Sequence, residues 1–221
     1  MKITSRGLFH FMTNAKELEF WASRYRESRT PWDKGAAHPE LLARLDEGAK
    51  ELAVPPKSGR ALVPGCGRGW DALALAERGW EVFAVDMVEA LKPQLQPAIE
   101  DVGGKFEVAD ALTLDEGPFD LIFDHTFFCA IPPERRHDWG RMVHRNLAAG
   151  GYLISLVFPF NRPEEEGGPP WKMASEDICK SLGDKDFDLL EDVKVRAPSS
   201  DRAWEERWVV LHKKLLSKAL L

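Results

Sequence analysis

The stretch ALVPGCGRGWDALALAERGWEVFAVDM, Ala61 to Met87, decides the fold. An apolar run, Arg60 to Pro64, meets three glycines at alternate positions, Gly65, Gly67 and Gly69. A helical pattern over Trp70 to Arg78 follows and stops at Gly79, the residue type that most readily ends a helix in left-handed backbone. A second apolar run, Glu81 to Asp86, ends on an acid. Strand, glycine turn, helix and strand in that order form a site for a nucleotide-like cofactor. Glycine lets the backbone take a positive φ and approach a ligand closely. An acid ending the next strand can accept hydrogen bonds from both ribose hydroxyls. A glycine run alone does not specify a cofactor; the acid on the second strand gives the run its meaning.

Working outward, the alternation continues. Val88 to Glu100 reads as a helix despite Pro93 and Pro97, Lys105 to Asp110 as a third strand, and Phe119 to His125 as a fourth. Pro133 to Leu147 is helical, Gly151 to Phe160 is a fifth strand, and Ser175 to Leu182 is a helix after the loop NRPEEEGGPPW. FDLLEDVKVR and ERWVVLHKK close the chain as a pair of strands. Strand–helix alternation implies an α/β protein with a parallel sheet covered on both faces, and the closing pair adds an antiparallel edge. Ahead of this core, Leu18, Trp21 and Tyr25 share one helix face within Asn14 to Glu27. RTPWDKG breaks that helix, HPELLARLDEGAKEL forms a second with Pro39 in its first turn, and VPPKSG is a loop. The expected organisation is a single domain, residues 1–221, with N-terminal helices and lid over 1–55 and the core over 60–215.

The 221 residues are 44% hydrophobic and 30% charged, with a formal net charge of −6. That is ordinary globular composition, and a net acidic surface offers no general attraction to nucleic acid or acidic membranes. No apolar run reaches the ~18 residues of a membrane span. Three widely spaced cysteines, Cys66, Cys129 and Cys179, suit neither a disulfide framework nor zinc. The expectation is a cytoplasmic monomer acting on a small molecule, with no metal, nucleic-acid or membrane partner. Residues 1–16 carry Lys2, Arg6 and Lys16 without an acid; they read as a loosely docked terminus or as a targeting segment.

Two cofactors fit the glycine turn. NAD would place a pyrophosphate at the helix N-terminus, where Asp71 supplies competing negative charge. S-adenosylmethionine has no phosphate and carries a positive sulfonium. Asp86, Asp110 and Asp124 stand at three successive strand ends, an acidic rim that suits it. Each acid taken alone reads as a cap or turn residue; their joint placement favours the sulfonium cofactor.

The segments FWASRYRESRTPWDKG, RALVPGCGRGWDALALA, VFAVDM, FDLIFDHTFFCAIPPERRHDW, GGYLISLVFPF and GGPPWK, from Phe20 to Lys172, resemble the thiopurine-methyltransferase-like superfamily of class I methyltransferases. The resemblance is closest to the thiol and halide branch. It implies a three-layer Rossmann-like fold with a mostly parallel seven-stranded sheet and an N-terminal helical lid. It further implies that the N-terminal helix and the TPWD loop close over S-adenosylmethionine, which leaves as S-adenosylhomocysteine. Trp21 and Trp32 match the branch's cofactor-contacting tryptophans, and Tyr25 stands where a tryptophan is frequent. Gly65 and Gly67 match the loop, Asp86 with Met87 the ribose side, and Asp110 with Ala111 the adenine side. Asp124 and His125 match the pair that faces methyl transfer. His125 departs from the tyrosine of the halide and thiol branch and from the arginine of the thiopurine branch.

The implied reaction is an in-line displacement on the methyl carbon by a halide such as iodide, a bisulfide or a thiol. Such nucleophiles need positioning at ~3–3.5 Å and exclusion of water more than they need a catalytic triad. His125 reads either as a hydrogen-bond donor or base for a thiol, or as a structural histidine. Phe127, Phe128 and Trp171 read as an apolar lid over the substrate, with core packing the competing role for the phenylalanines. Alternatives are an S- or N-methyltransferase for a larger thiopurine-like heterocycle, an NAD-dependent oxidoreductase, and a catalytically silent binding module.

Overall fold

A computed structural model describes residues 5–47, 58–183, 185–199 and 202–215, with the side chains of 5–14 left out. The chain runs α1 (Ser5–Arg26), α2 (Pro39–Glu47), β1 (Arg60–Pro64), α3 (Trp70–Ala76), β2 (Glu81–Asp86), α4 (Lys92–Asp101), β3 (Lys105–Val108), β4 (Phe119–His125), α5 (Arg136–Asn146), β5 (Leu147–Val157), α6 (Ser175–Leu182), β6 (Phe187–Lys194) and β7 (Arg207–Lys213). One seven-stranded sheet has the order β3-β2-β1-β4-β5-β7-β6. Pairing is parallel from β3 through β5. β7 runs antiparallel between β5 and β6, so the closing pair is an antiparallel edge built by insertion.

Helix α1 begins at Ser5 rather than Asn14, so the segment expected to be loose is helical from that residue on. The end of the second expected helix, Gly48 to Leu52, and most of the VPPKSG loop lie outside the described residues. Pro93 falls in the first turn of α4, where its missing N–H costs nothing, and Pro97 lies inside the helix. No helix among the described residues is long and apolar enough to cross a membrane.

The period of two along each strand builds two cores. Leu62, Phe83, Val85 and Ile122 face α5 and α6, where Trp139, Met142 and Ile178 are fully or almost fully buried. Ala61, Val63, Val82, Ala84, Leu121 and Phe123 face the other way, against Leu41, Leu75, Leu95 and Ile99 from α2, α3 and α4. Because both strand faces are buried, the strands read as continuous apolar runs in the sequence. Strand order reverses between β1 and β4. The crevice at the carboxyl ends of those two strands is the place where open α/β sheets bind ligands.

Candidate active site

The turn after β1 has the backbone its glycines imply. Gly65, Gly67 and Gly69 have φ of 59, 55 and 76°. At Gly65 a Cβ would lie 2.3 Å from the Phe127 ring, and at Gly67 one would lie 3.0 Å from the Tyr25 hydroxyl. The glycine turn and the loop after β4 therefore meet over Gly65, and the N-terminal helix meets the same turn over Gly67.

Asp86 ends β2 and is 8% exposed. Its carboxylate accepts the Gly67 N–H at 2.9 Å and the Val88 N–H at 3.0 Å. Burial lifts its pKa to about 6, against the pull of those N–H groups. Met87 beside it is half-buried. Asp110 caps a short 3-10 turn by accepting the Leu112 N–H at 3.0 Å, and Ala111 behind it is buried. Asp86 ends β2 as expected, whereas β3 stops at Val108 rather than Asp110, so Asp110 lies two residues past its strand; both carboxylates organise backbone.

Asp124 is 1% exposed, and its oxygens accept the Phe128 N–H at 3.1 Å and the Trp139 indole N–H at 2.8 Å. It ties the loop after β4 to α5. Burial raises its pKa to about 6. Phe128, expected on the substrate side, is instead a core residue with no exposed surface, stacked edge-on against Trp139 with the Arg136 guanidinium over its ring. Phe127 takes the place over Gly65. Just before them the backbone turns sharply: Thr126 has a φ of 61°, a strained conformation for a β-branched residue. Trp171 donates its backbone N–H to the Cys129 carbonyl at 2.7 Å, and its buried indole N–H has no partner among the described residues. Cys129 is buried with its thiol pushed up to about 12, chiefly by burial, so it is inert as a nucleophile.

On the other side stand the aromatics. Trp21 and Trp32 meet edge to face at 5.4 Å, and Tyr25 and Trp32 at 5.9 Å. Burial, and then the Asp86 charge, raise the Tyr25 phenol, which stays protonated. Asp33, within the TPWD loop, carries no sequence signal of its own, yet it fastens this group. It accepts from the Arg68 guanidinium at 2.7 Å, the Trp70 indole at 2.9 Å and the Gly35 N–H at 3.0 Å.

His125 is held on both ring nitrogens. Nδ1 lies 2.7 Å from Asp71 Oδ2, and Nε2 lies 2.9 Å from the Arg202 guanidinium. Asp71 also accepts the His38 N–H at 2.8 Å. Burial alone would raise the Asp71 carboxyl, but His125 and the His38 N–H outweigh it and hold it below the ordinary range. Arg202, in the β6–β7 loop, pairs with Glu206 at 2.5 Å, and Glu206 lies 3.2 Å from His38 Nε2. Asp71, a charge unfavourable to pyrophosphate, is thus also a structural anchor. The lining of the cleft between these two sides includes Trp32, Gly65, Gly67, Asp71, His125 and Thr126.

A glycine turn, a ribose-type acid at the switch point and an aromatic wall suited to a sulfonium define a class I S-adenosylmethionine-dependent methyltransferase. Comparison with known proteins agrees. Residues 16–214 match the model of the thiopurine S-methyltransferase family, and the chain belongs to that family. The probable thiol methyltransferase 2 of Arabidopsis thaliana is 33% identical over 192 residues, 85% of this chain and 81% of that protein. Thiocyanate methyltransferase 1 of Brassica oleracea is 33% identical over 209 residues, 90% of this chain and 88% of that one. Among solved structures, the 1,6-didemethyltoxoflavin-N1-methyltransferase of Burkholderia thailandensis, with S-adenosylhomocysteine bound, superposes with a TM-score of 0.69 at 22% identity, covering 93% of this chain and 90% of its own. At that identity the likeness speaks for the fold. The NAD-dependent reading falls with these findings.

Proposed function

We propose that the protein moves a methyl group from S-adenosylmethionine to a small soft nucleophile: a halide such as iodide, bisulfide or a thiol. The thiol and thiocyanate methyltransferases among its relatives support this choice. One observation carries the cofactor's part in it. Trp21, Tyr25 and Trp32 form an aromatic wall whose Tyr25 hydroxyl reaches Gly67, across the turn from the buried Asp86 carboxylate. A desolvated cation over such rings gains up to ~2 kcal/mol, and no such wall is needed for a phosphate.

The cofactor supplies an electrophilic methyl on a sulfonium. The residues fit it: positive-φ glycines give close backbone approach, and Asp86 offers carboxylate oxygens at a strand end. Asp86, with Met87 beside it, would hold the ribose, and Asp110 with Ala111 the adenine. The three aromatics would cover the sulfonium and exclude water. Phe127 and Trp171 would enclose the acceptor, with the unpartnered Trp171 indole N–H available to an anion. Asp124 would act through the backbone it holds, aiming Phe127 rather than touching the acceptor. A net charge of −6 supports a small-molecule acceptor over a nucleic-acid partner, and three widely spaced cysteines support a cytoplasmic setting.

The family match favours a second reading, transfer to a larger thiopurine-like heterocycle. Purified protein with S-adenosylmethionine, assayed by headspace gas chromatography, should release methyl iodide from iodide and methanethiol from bisulfide. No volatile product from either, beside methylation of a heterocyclic thiol, would replace the first reading with the second.

A further inference from the structure

The assignment of protons around His125 follows from its neighbours. Arginine has only N–H donors, so the Arg202 Nη2 at 2.9 Å must donate to Nε2. Nε2 then carries no proton. The ring proton sits on Nδ1, where it is donated to Asp71 at 2.7 Å. A charged imidazolium would set an N–H against the guanidinium. His38 is fixed in the complementary way: its Nδ1 accepts the Glu40 N–H at 3.1 Å, so Nε2 carries the proton facing Glu206. The two rings meet edge to face at 5.1 Å.

We propose, granting the methyltransferase reading above, that Arg202 is a positioning residue: with Asp71 it locks His125 as the neutral, Nδ1-protonated ring, so that His125 braces the turn after β4 and takes no proton from the methyl acceptor. Three further observations support it. His125 immediately precedes the strained Thr126, whose hydroxyl donates to the His125 carbonyl at 2.7 Å, and Thr126 leads to the Phe127 ring over Gly65. Arg202 is itself anchored, paired with Glu206 and lying 4.3 Å over the Phe158 ring, with its side chain 4% exposed. The groups facing His125 from packed elements are Asp71 of α3, Arg202 of the β6–β7 loop and His38 ahead of α2. Burial first, then the Arg202 charge, outweigh Asp71 and hold its pKa below the ordinary value.

With His125, Asp71 and Asp124 each holding internal hydrogen bonds, the acceptor must arrive already ionised, a thiol having lost its proton to solvent. Methylation of a thiol then follows that thiol's own pKa, and methylation of iodide is flat through the ordinary histidine range near 6.5.

The test is 15N NMR on histidine-labelled protein, with the His125 signals identified by their loss in His125→Asn. The expected result is a protonated Nδ1, an unprotonated Nε2 and no titration through about 6.5. Arg202→Met should let His125 titrate and lower iodide turnover by up to about 100-fold, the scale of a small misplacement. Arg202→Lys, which keeps a donor, should restore the tautomer and much of the rate. A wild-type His125 that is protonated on Nε2, or that titrates near 6.5 in step with a fall in thiol methylation, overturns the proposal. Should both Arg202 variants fail to fold, the wild-type spectrum alone decides. If no acceptor is methylated, the functional reading fails, and the spectrum still decides the tautomer.

Discussion

The two walls of the cleft are built differently. The strand-end wall is backbone-made: Asp86 closes a strand in register with both neighbours and is gripped by the N–H groups of Gly67 and Val88. The aromatic wall is side-chain-made. Trp21 and Tyr25 of α1 rest on the core, Trp32 meets each of them edge to face, and the TPWD loop that carries Trp32 is fastened through Asp33 to Arg68, whose side chain is 34% exposed. A wall in the sheet is fixed before any ligand arrives. A loop held by a few partly solvated contacts can open and close at small cost. The strand-end wall should therefore hold most of the cofactor's binding energy, and the aromatic wall should govern the exclusion of water.

The largest expected effect is on the fixed wall. Asp86→Ala should weaken S-adenosylhomocysteine binding by about 2–3 kcal/mol, because charge-assisted hydrogen bonds are lost and the N–H groups of Gly67 and Val88 lose their acceptor. Isothermal titration calorimetry reads this directly, and unchanged affinity would remove Asp86 from the site. Next comes Trp32→Ala. Loss of its π-face should cost up to ~2 kcal/mol of affinity, and the opened cleft should lower kcat as well. Steady-state kinetics equal to wild type would reduce the TPWD loop to a connector.

A pH series sharpens the contrast at a smaller scale. The Asp86 carboxyl titrates at about 6. Below that value the protonated form loses acceptor capacity toward the ribose, so cofactor affinity should fall by up to about tenfold per pH unit. Stability runs the opposite way. The folded pKa lies above the unfolded one, so the native state binds the proton more tightly; this carboxyl's contribution is fully present below about 4 and is lost as pH rises through about 6. Asp86→Asn should abolish the pH dependence of binding, and its persistence in that variant would assign the titration elsewhere. The smallest effect belongs to the latch. Asp33→Asn removes a partly solvated ion pair worth at most about 1 kcal/mol, and should raise the KM for S-adenosylmethionine a few-fold while Asp86-dependent binding stays intact.

The same division explains what the sequence disclosed. The strand-end wall was legible because its residues are contiguous: glycine turn, helix and acid fall within Ala61 to Met87. The sheet's alternation was legible for the same reason. The bracing of His125 was not, because its partners lie 54 and 77 residues away and the β6–β7 loop carries no pattern of its own. The insertion of β7 between β5 and β6 was equally hidden, since a pair of apolar strands does not say which of them enters the sheet. Phe127 and Phe128 show the limit at single-residue scale. Strand periodicity ends at His125, and the positive φ of Thr126 decides which ring turns inward. Asp33 lay in full view within TPWD, but its role depends on Arg68 and Trp70 arriving from the glycine turn.

The central claim is that this cleft serves a small soft anion. Its most direct test is kcat/KM, followed through S-adenosylhomocysteine formation, for iodide or bisulfide against a heterocyclic thiol of thiopurine type. A preference of about tenfold or more for the small anion is predicted, since desolvation behind the aromatic wall favours weakly hydrated nucleophiles. A preference of that size for the heterocycle would contradict it.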